Sequence, residues 1–299
     1  TALKGIGIDI ISTAGNHALD YGYSGLCRSI DVLNNAGLSH LGTYKSAEEQ
    51  EQILIKERGY LVKINKNDSV VLLVSGGLDS IITMAYIVEK FEVNVYPLFI
   101  KRGARAEKKE LESAKYYVKF YQERYGSKIK DLFVLNDEDI PARQLKSYFP
   151  QERIKAIGHP LRNSTLQNYA VMYATYVNAK FNENVRTILT GSVGDDTTCP
   201  ELSILSLRSQ TLNVCINLGD WNWQITSPLI DLELTPKTIF KRDLILWAKE
   251  KEISLSKTRT CVSEGEISDG TCNECIRRLK VFRELGLRDE IEYLSDENF

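Results

Sequence analysis

The sequence predicts an α/β fold built on a doubly wound parallel sheet, with a helical C-terminal lobe and an N-terminal extension. Three observations carry that expectation. A β-branched run at residues 70–74 stops at Ser75-Gly76-Gly77-Leu78-Asp79-Ser80, and an amphipathic run (Ile81, Ile82, Met84, Ala85, Ile87, Val88) follows. Strand-like and helix-like stretches then alternate, as parallel βαβ units require. The chemistry-bearing residues between Ser75 and Asp196 fall where strands end, and open α/β sheets bind ligands at the carboxyl ends of their strands.

Taken in order, residues 5–11 and 60–64 read as strands, and 21–40 is rich in Gly, Ser and Asn. The strand before the glycine loop and the helix after it come next. Residues 93–100 form a second strand of the main sheet. A charged helix at 106–125 carries Leu111, Ala114, Val118 and Tyr121 at helical spacing. Residues 129–135 read as strand, 163–181 as a helix entered by Pro160, and 185–190 as strand ending at Gly191. Beyond Ile225, residues 237–253 and 276–285 read as helices. The expected domains are 1–66 as an extension, 67–226 as the nucleotide-binding domain, and 227–299 as the C-terminal lobe.

A hydrophobic content of 43% is ordinary for a soluble globular protein, and a net charge of −2 leaves no global basic field for nucleic acid or membrane. No apolar run reaches the ~18 residues of a membrane span. No secretory h-region is evident, so a cytoplasmic protein is expected. The chain starts at Thr1 and is read as lacking its native N-terminus.

Two adjacent glycines let backbone N–H groups turn inward, and the following helix adds unpaired N–H groups and the positive end of its dipole. The loop is therefore expected to be a nest for a polyanion such as pyrophosphate. No Gly-Lys-Ser/Thr follows, so it is not the common NTPase loop. Six cysteines are present, and Cys261, Cys272 and Cys275 cluster in a CxxC pattern with a third cysteine upstream. That is zinc spacing in a reducing compartment.

Ser-Gly-Gly-Leu-Asp-Ser resembles the SGGxDS loop of the ATP pyrophosphatases (the PP-loop, adenine nucleotide alpha hydrolase-like superfamily with a Rossmann-like sheet). Further segments resemble the 7-cyano-7-deazaguanine synthases. Gly103, Arg105, Glu110 and Ala114 match one family segment, while Arg102 and Ala104 replace its Tyr and Gln. Leu161-Arg162-Asn163 resembles the family's Gly-Arg-Asn, and Ser227-Pro228-Leu229 with Lys241 its Thr-Pro-Leu and downstream Lys.

The resemblance implies an ATP-dependent, adenylate-forming C–N ligase that activates a 7-carboxy-7-deazaguanine with Mg²⁺ and releases pyrophosphate. Ser75, Gly76, Gly77, Leu78 and Ser80, with Gly103 and Gly191, would bind ATP. Asp79 would place Mg²⁺ or order the loop. Arg105, Arg162 and Lys241 would stabilise charge. Arg162, Asn163 and Asp196 would contact the deazaguanine; Asp195 or Asp196 alternatively binds Mg²⁺ or caps a helix. Family members carry four cysteines in the lobe, and Asp269 stands at the missing one, completing Zn²⁺ ligation with Cys261, Cys272 and Cys275. His17, His40 and Cys199 are the other candidates.

The family's Tyr-Pro-Asp-Cys-Arg appears as Cys199-Pro200-Glu201-Leu202-Ser203, so the Cys-Arg pair is absent. With the incomplete cysteine set and the N-terminal extension, this suggests a divergent relative of the kind found in CBASS-like antiphage operons. Such a relative would use a protein amine as acceptor, with an operon partner. A homodimer is implied by the same resemblance. Two alternatives stay open. One is another ATP pyrophosphatase, although a thiolase wants paired catalytic cysteines and a basic RNA patch, and an amidotransferase wants an N-terminal Cys. The other is a nucleotide-binding scaffold without catalysis, against which the intact loop argues.

Overall fold

A computed structural model describes residues 10–12, 22–41, 45, 62–136, 161–196 and 199–295. The chain divides into two units, Thr1–Leu61 and Val62–Phe299. In the first, β1 (Ile10–Ser12) pairs in parallel with β2 (Ser39–Leu41). Between them lies α1 (Gly22–Asn35), a helix the Gly/Ser/Asn content had hidden. Leu26, Ile30 and Leu33 give it one apolar stripe, with Ile30 buried, and Leu38 N–H closes its end on the Leu33 carbonyl.

The second unit carries the main sheet. β3 (Ser69–Leu73), β4 (Asn94–Lys101), β5 (Phe133–Asn136), β6 (Thr187–Leu189) and β7 (Gln224–Thr226) are all parallel, in the order β5-β4-β3-β6-β7. Side chains alternate across it. Val70 and Leu72 enter one apolar core and Val71 the other. The first core is closed by α2 (Leu78–Phe91), α3 (Glu107–Tyr125), α6 (Lys241–Glu250) and α7 (Asn273–Glu284). The second is closed by α4 (Arg162–Phe181) and α5 (Ile204–Leu218). Each fully buried Ile or Leu of these layers contributes about 1.5–3 kcal/mol. From β3 the chain builds outward through β4 and β5, then returns to the other side of β3 with β6 and β7. The crevice where the order reverses lies between the carboxyl ends of β3 and β6.

Four local expectations change. Residues 62–64 are not strand, since side chains take their backbone groups. Glu233 accepts the Val62 N–H, and Gln224 bonds both the N–H (3.4 Å) and the carbonyl (2.6 Å) of Lys63. Residues 60 and 61, like 5–9, His17 and Pro160, lie outside the described residues. The 129–135 strand resolves into a bridge at Ile129 and β5 proper. The 237–253 helix starts only at Lys241, because Ile239 N–H is held by the Leu229 carbonyl at 2.7 Å and Asp243 caps Phe240 N–H at 3.0 Å. Finally, α5 and β7 are additions. Ser203 caps α5 by accepting Ser206 N–H at 3.2 Å, and Gly219 ends it in the left-handed region.

Candidate functional site

The glycine loop is stitched by its own serines. Ser80 Oγ accepts the Ser75 N–H at 3.2 Å and donates to the Gly77 carbonyl at 3.1 Å, and Ser75 Oγ accepts the Gly77 N–H at 3.3 Å. The first helical bond of α2 runs from Ile81 N–H to the Gly77 carbonyl, so the N–H groups ahead of it face the crevice free of intrahelical partners. Gly76 is clamped. Its carbonyl accepts Ser113 Oγ–H at 2.7 Å and Arg259 N–H at 2.9 Å, and its φ is +76°. A Cβ there would stand 2.1 Å from the Glu110 carbonyl oxygen. Gly191, after β6, lets that strand approach the start of α2; its Cβ would lie 3.1 Å from Ser80 Cα.

Beside the loop, Lys241 Nζ pairs with Asp79 Oδ2 at 3.2 Å, while Asp195 Oδ2 fixes the start of α6 by accepting Lys241 N–H at 2.6 Å. Asp79 Oδ1 is buried and has no hydrogen-bond partner among the described residues. Burial raises the pKa of Asp79 above its ordinary value, against the pull of Lys241. Burial works against charge on Lys241, but Asp79 and Asp196 outweigh it and hold the ammonium above its usual value. Asp195, Asp196 and Lys241 line a cavity of about 230 Å³ with Arg277 and Lys280. Burial, then the Asp79 charge, pushes Asp196 up to about 6.

That shift has a stability consequence. The folded carboxyl binds a proton between its ordinary 3.8 and about 6, so its contribution is lost as pH rises through about 6. Asp196→Asn carries no ionised group to bury. It is expected to be more stable than wild type at pH 8 by about 1–3 kcal/mol, the gap closing by pH 4. Thermal unfolding at the two pH values checks this, and a variant no more stable than wild type at pH 8 contradicts it.

A second polar cluster lies at the start of α4. Arg102 pairs with Glu110 at 3.2 Å, and burial raises the Glu110 pKa. Burial, then the Arg102 charge, disfavours the charge on Arg162, which also feels Glu201, Cys199 and Glu110. Leu161, at the head of α4, adopts φ +61° where the resembling segment has Gly. Arg105 is exposed on the turn before α3, and Gly103, at φ +66°, is held by its N–H donating to Glu107 Oε2 at 2.7 Å.

The structure thus brings the loop, Asp79, Gly191, Asp196 and Lys241 together, and places Arg162 within reach of the charges of Arg102, Glu110 and Glu201, with Asn163 next to it on the first turn of α4. Arg102, Glu201 and Arg259 stand beside these groups and were not among the candidates read from the sequence. Glu201 was signalled only by its place in the altered 199–203 segment, and Arg259 by nothing local.

In the C-terminal lobe, the ligand atoms of Cys261, Asp269, Cys272 and Cys275 all lie within 4.8 Å of one another. Cys272 and Cys261 sulfurs are 4.0 Å apart, near the ~3.8 Å edge of a tetrahedron with ~2.3 Å Zn–S bonds. Backbone N–H groups already favour the charged ligands. Ser263 (3.5 Å) and Asp269 (3.4 Å) donate to Cys261 Sγ, and Cys275 (3.5 Å) donates to Cys272 Sγ. N–H groups of Cys272 and Thr271 hold Asp269 at about 2. Three thiols and one carboxylate so placed could hold a metal ion, and a sulfur-rich set of four is the kind that Zn²⁺ takes. Cys199 lies near Arg162 instead, and the His40 side chain, like His17, is outside the described residues.

Compared with known proteins, residues 69–286 match the family model described as queuosine biosynthesis protein QueC, and residues 1–65 match the one described as bacterial capsule synthesis protein PGA_cap. A 7-cyano-7-deazaguanine synthase of Acetivibrio thermocellus is 32% identical over 238 residues, 75% of this chain and 97% of the relative. That of Desulfitobacterium hafniense is 29% identical over 232 residues, covering 75% and 93%. That of Chloroherpeton thalassium is 27% identical over 234 residues, covering 75% and 96%.

Proposed function

The chain belongs to the queuosine biosynthesis protein QueC family, and from that membership we propose that it adenylates the carboxylate of a 7-carboxy-7-deazaguanine-type substrate at the expense of ATP and converts the adenylate to an amide. The observation that carries this reading is the clamped Gly76 loop with the Asp79–Lys241 pair beside it, at the strand ends where the sheet order reverses.

A carboxylate is a poor electrophile, and AMP is a good leaving group. A substrate carboxylate oxygen attacks the α-phosphorus of ATP, the bond to the bridging oxygen breaks, and pyrophosphate leaves. The loop N–H groups and the α2 N-terminus meet the charge that accumulates on it, and Lys241 adds a fixed cation. Asp79 Oδ1 and Asp196 are the oxygens suited to hold Mg²⁺, which when bound neutralises phosphate charge. An amine nitrogen then bonds to the acyl carbon, AMP departs, and the nitrogen loses a proton. Ammonia gives the amide, which a second activation dehydrates to a nitrile. A protein amine gives a conjugate instead, and Leu202-Ser203 in place of the family's Cys-Arg favours that second reading, together with an antiphage setting.

The test is incubation with ATP, Mg²⁺ and 7-carboxy-7-deazaguanine, with pyrophosphate followed and products weighed by mass. Amide or nitrile supports the synthase. An adenylate that stalls until a protein partner is added supports conjugation. No pyrophosphate overturns the assignment. Lys241→Met is expected to lower the pyrophosphate rate at saturating ATP about 10- to 100-fold, because a preorganised charge at the leaving group is lost. An unchanged rate would remove Lys241 from the mechanism.

A further inference from the structure

At the head of α4 and on the 200–202 turn, three polar groups have no partner among the described residues. Asn163 Nδ2 and Glu201 Oε2 are both buried and make no hydrogen bond among the described residues. The Arg162 guanidinium likewise makes no hydrogen bond or ion pair with a described residue, although it is partly buried and feels the Glu201 charge. Native proteins rarely leave such groups unpaired, because a buried donor or acceptor without a partner has lost its water and gained nothing in return. Two opposite charges that attract one another would normally collapse into a salt bridge. Here Glu201 is held on the short 3-10 turn Pro200–Leu202, and Arg162 on the first turn of α4, with no contact within ion-pair distance. Arg102, by contrast, does find its carboxylate in Glu110 at 3.2 Å.

A cation and an anion held apart, with an amide donor beside the cation, ask for a ligand that is itself mixed. It must offer an acceptor to Arg162 and Asn163 and hydrogen-bond donors to Glu201. A phosphate meets the first demand and fails the second, since it would face the Glu201 carboxylate with like charge. A lactam ring with an adjacent exocyclic amine meets both. Its carbonyl oxygen accepts from the guanidinium or the amide, and its ring N–H and amino group donate together to one carboxylate.

We infer that Glu201 is a specificity-determining residue that reads the N–H and amino edge of a guanine-type heterocycle, with Arg162 and Asn163 holding an acceptor atom of the same ring. This assigns base reading to Glu201 and leaves Asp196, beside Asp79 and Lys241, to the phosphate side of the site. The inference rests on the function proposed above and names how its substrate is chosen.

The experiment compares 7-carboxy-7-deazaguanine with its 2-deamino analogue, 7-carboxy-7-deazahypoxanthine, measuring kcat/KM for pyrophosphate release. Wild type should prefer the amino compound about 100-fold, because a site built to pair a donor rejects the analogue that lacks it. Glu201→Gln sets an amide donor against the ring's donors, and Glu201→Ala removes the acceptor. Both should raise KM for the amino compound about 10- to 100-fold, leave KM for ATP unchanged, and flatten the preference to within about threefold. Glu201→Asp should restore part of the preference, which a merely structural role would not produce. Thermal unfolding shows which variants fold, and the folded ones decide. Full preference retained in a folded Glu201→Gln overturns the inference alone. A lowered KM for ATP in that variant also overturns it, by marking an anion site. Absence of pyrophosphate from wild type with either compound overturns both the inference and the functional reading.

Discussion

Gly76→Ala is expected to abolish pyrophosphate release, by about 10³-fold or more, while Gly77→Ala leaves a measurable enzyme. The two positions are neighbours in one loop, and the difference is geometric. At Gly76 the backbone is left-handed, at φ +76°, which costs an alanine about 1–2 kcal/mol by itself. The added Cβ would also meet the Glu110 carbonyl oxygen at 2.1 Å, a backbone atom of α3 that no rotamer change can move. Relief requires the loop to shift off α3. That shift breaks the bonds from Ser113 Oγ and Arg259 N–H to the Gly76 carbonyl, and with them the aim of the loop N–H groups that the proposed function gives to pyrophosphate. A misplacement of about 1 Å in a preorganised site costs on the order of 10²-fold, and here the required shift is larger. At Gly77 the nearest atoms to an added Cβ are Ser75 Oγ at 3.3 Å, a movable hydroxyl, and the Arg259 carbonyl at 3.5 Å. Initial rates at saturating ATP, with thermal unfolding beside them, check the pair. Equal activity of the two variants would mean that the clamp does not set the loop.

That contrast also shows what can be read from the chain alone. The β3–loop–α2 unit was legible because its signals are local: a β-branched run, two glycines and an amphipathic helix all lie within residues 70–88. The parallel sheet followed from the alternation of such units and the three clustered cysteines from their spacing, while Asp269 came only through the family resemblance. The chain could name Asp79 and Lys241 as candidates but not that they form one ion pair, since their meeting depends on how α6 docks on α2. β7 is three residues long and too short for a periodicity. Leu161 hides a left-handed helix start behind a residue that normally avoids it. Glu201 looks like an ordinary surface acid until its buried oxygen, unpaired among the described residues, is seen. Arg259 has no motif at all, yet it touches the central loop.

Arg259 carries the last expectation: stripping the metal site should weaken nucleotide binding as well as loosen the lobe. Its backbone N–H holds the Gly76 carbonyl at 2.9 Å. Its buried guanidinium donates to the carbonyls of Cys261 (3.2 Å), Ser263 (2.6 Å), Gly265 (3.0 Å) and Glu266 (3.4 Å), the turn that leads away from the first of the four candidate metal ligands. Arg278 of α7 grips the same segment through Thr258 Oγ1 at 2.6 Å and Thr260 Oγ1 at 3.0 Å, while binding Asp289 with two hydrogen bonds. Order in the cysteine turn is therefore linked through Arg259, by its side chain at one end and its backbone N–H at the other, to the glycine loop. Cys272→Ser, or exhaustive chelation, is expected to raise the ATP dissociation constant about 100-fold and lower the unfolding temperature, since metal ligation and folding are coupled. Arg259→Ala should keep bound metal yet weaken ATP about 10- to 30-fold, because it unties the turn from within. Chelating that variant should then add much less than chelating wild type, as two changes acting through one contact are not additive. Metal analysis and calorimetric titration with ATP check each arm. A metal-free protein that binds ATP as wild type does, or full additivity of the two losses, would show that the cysteine turn and the Gly76 loop are independent.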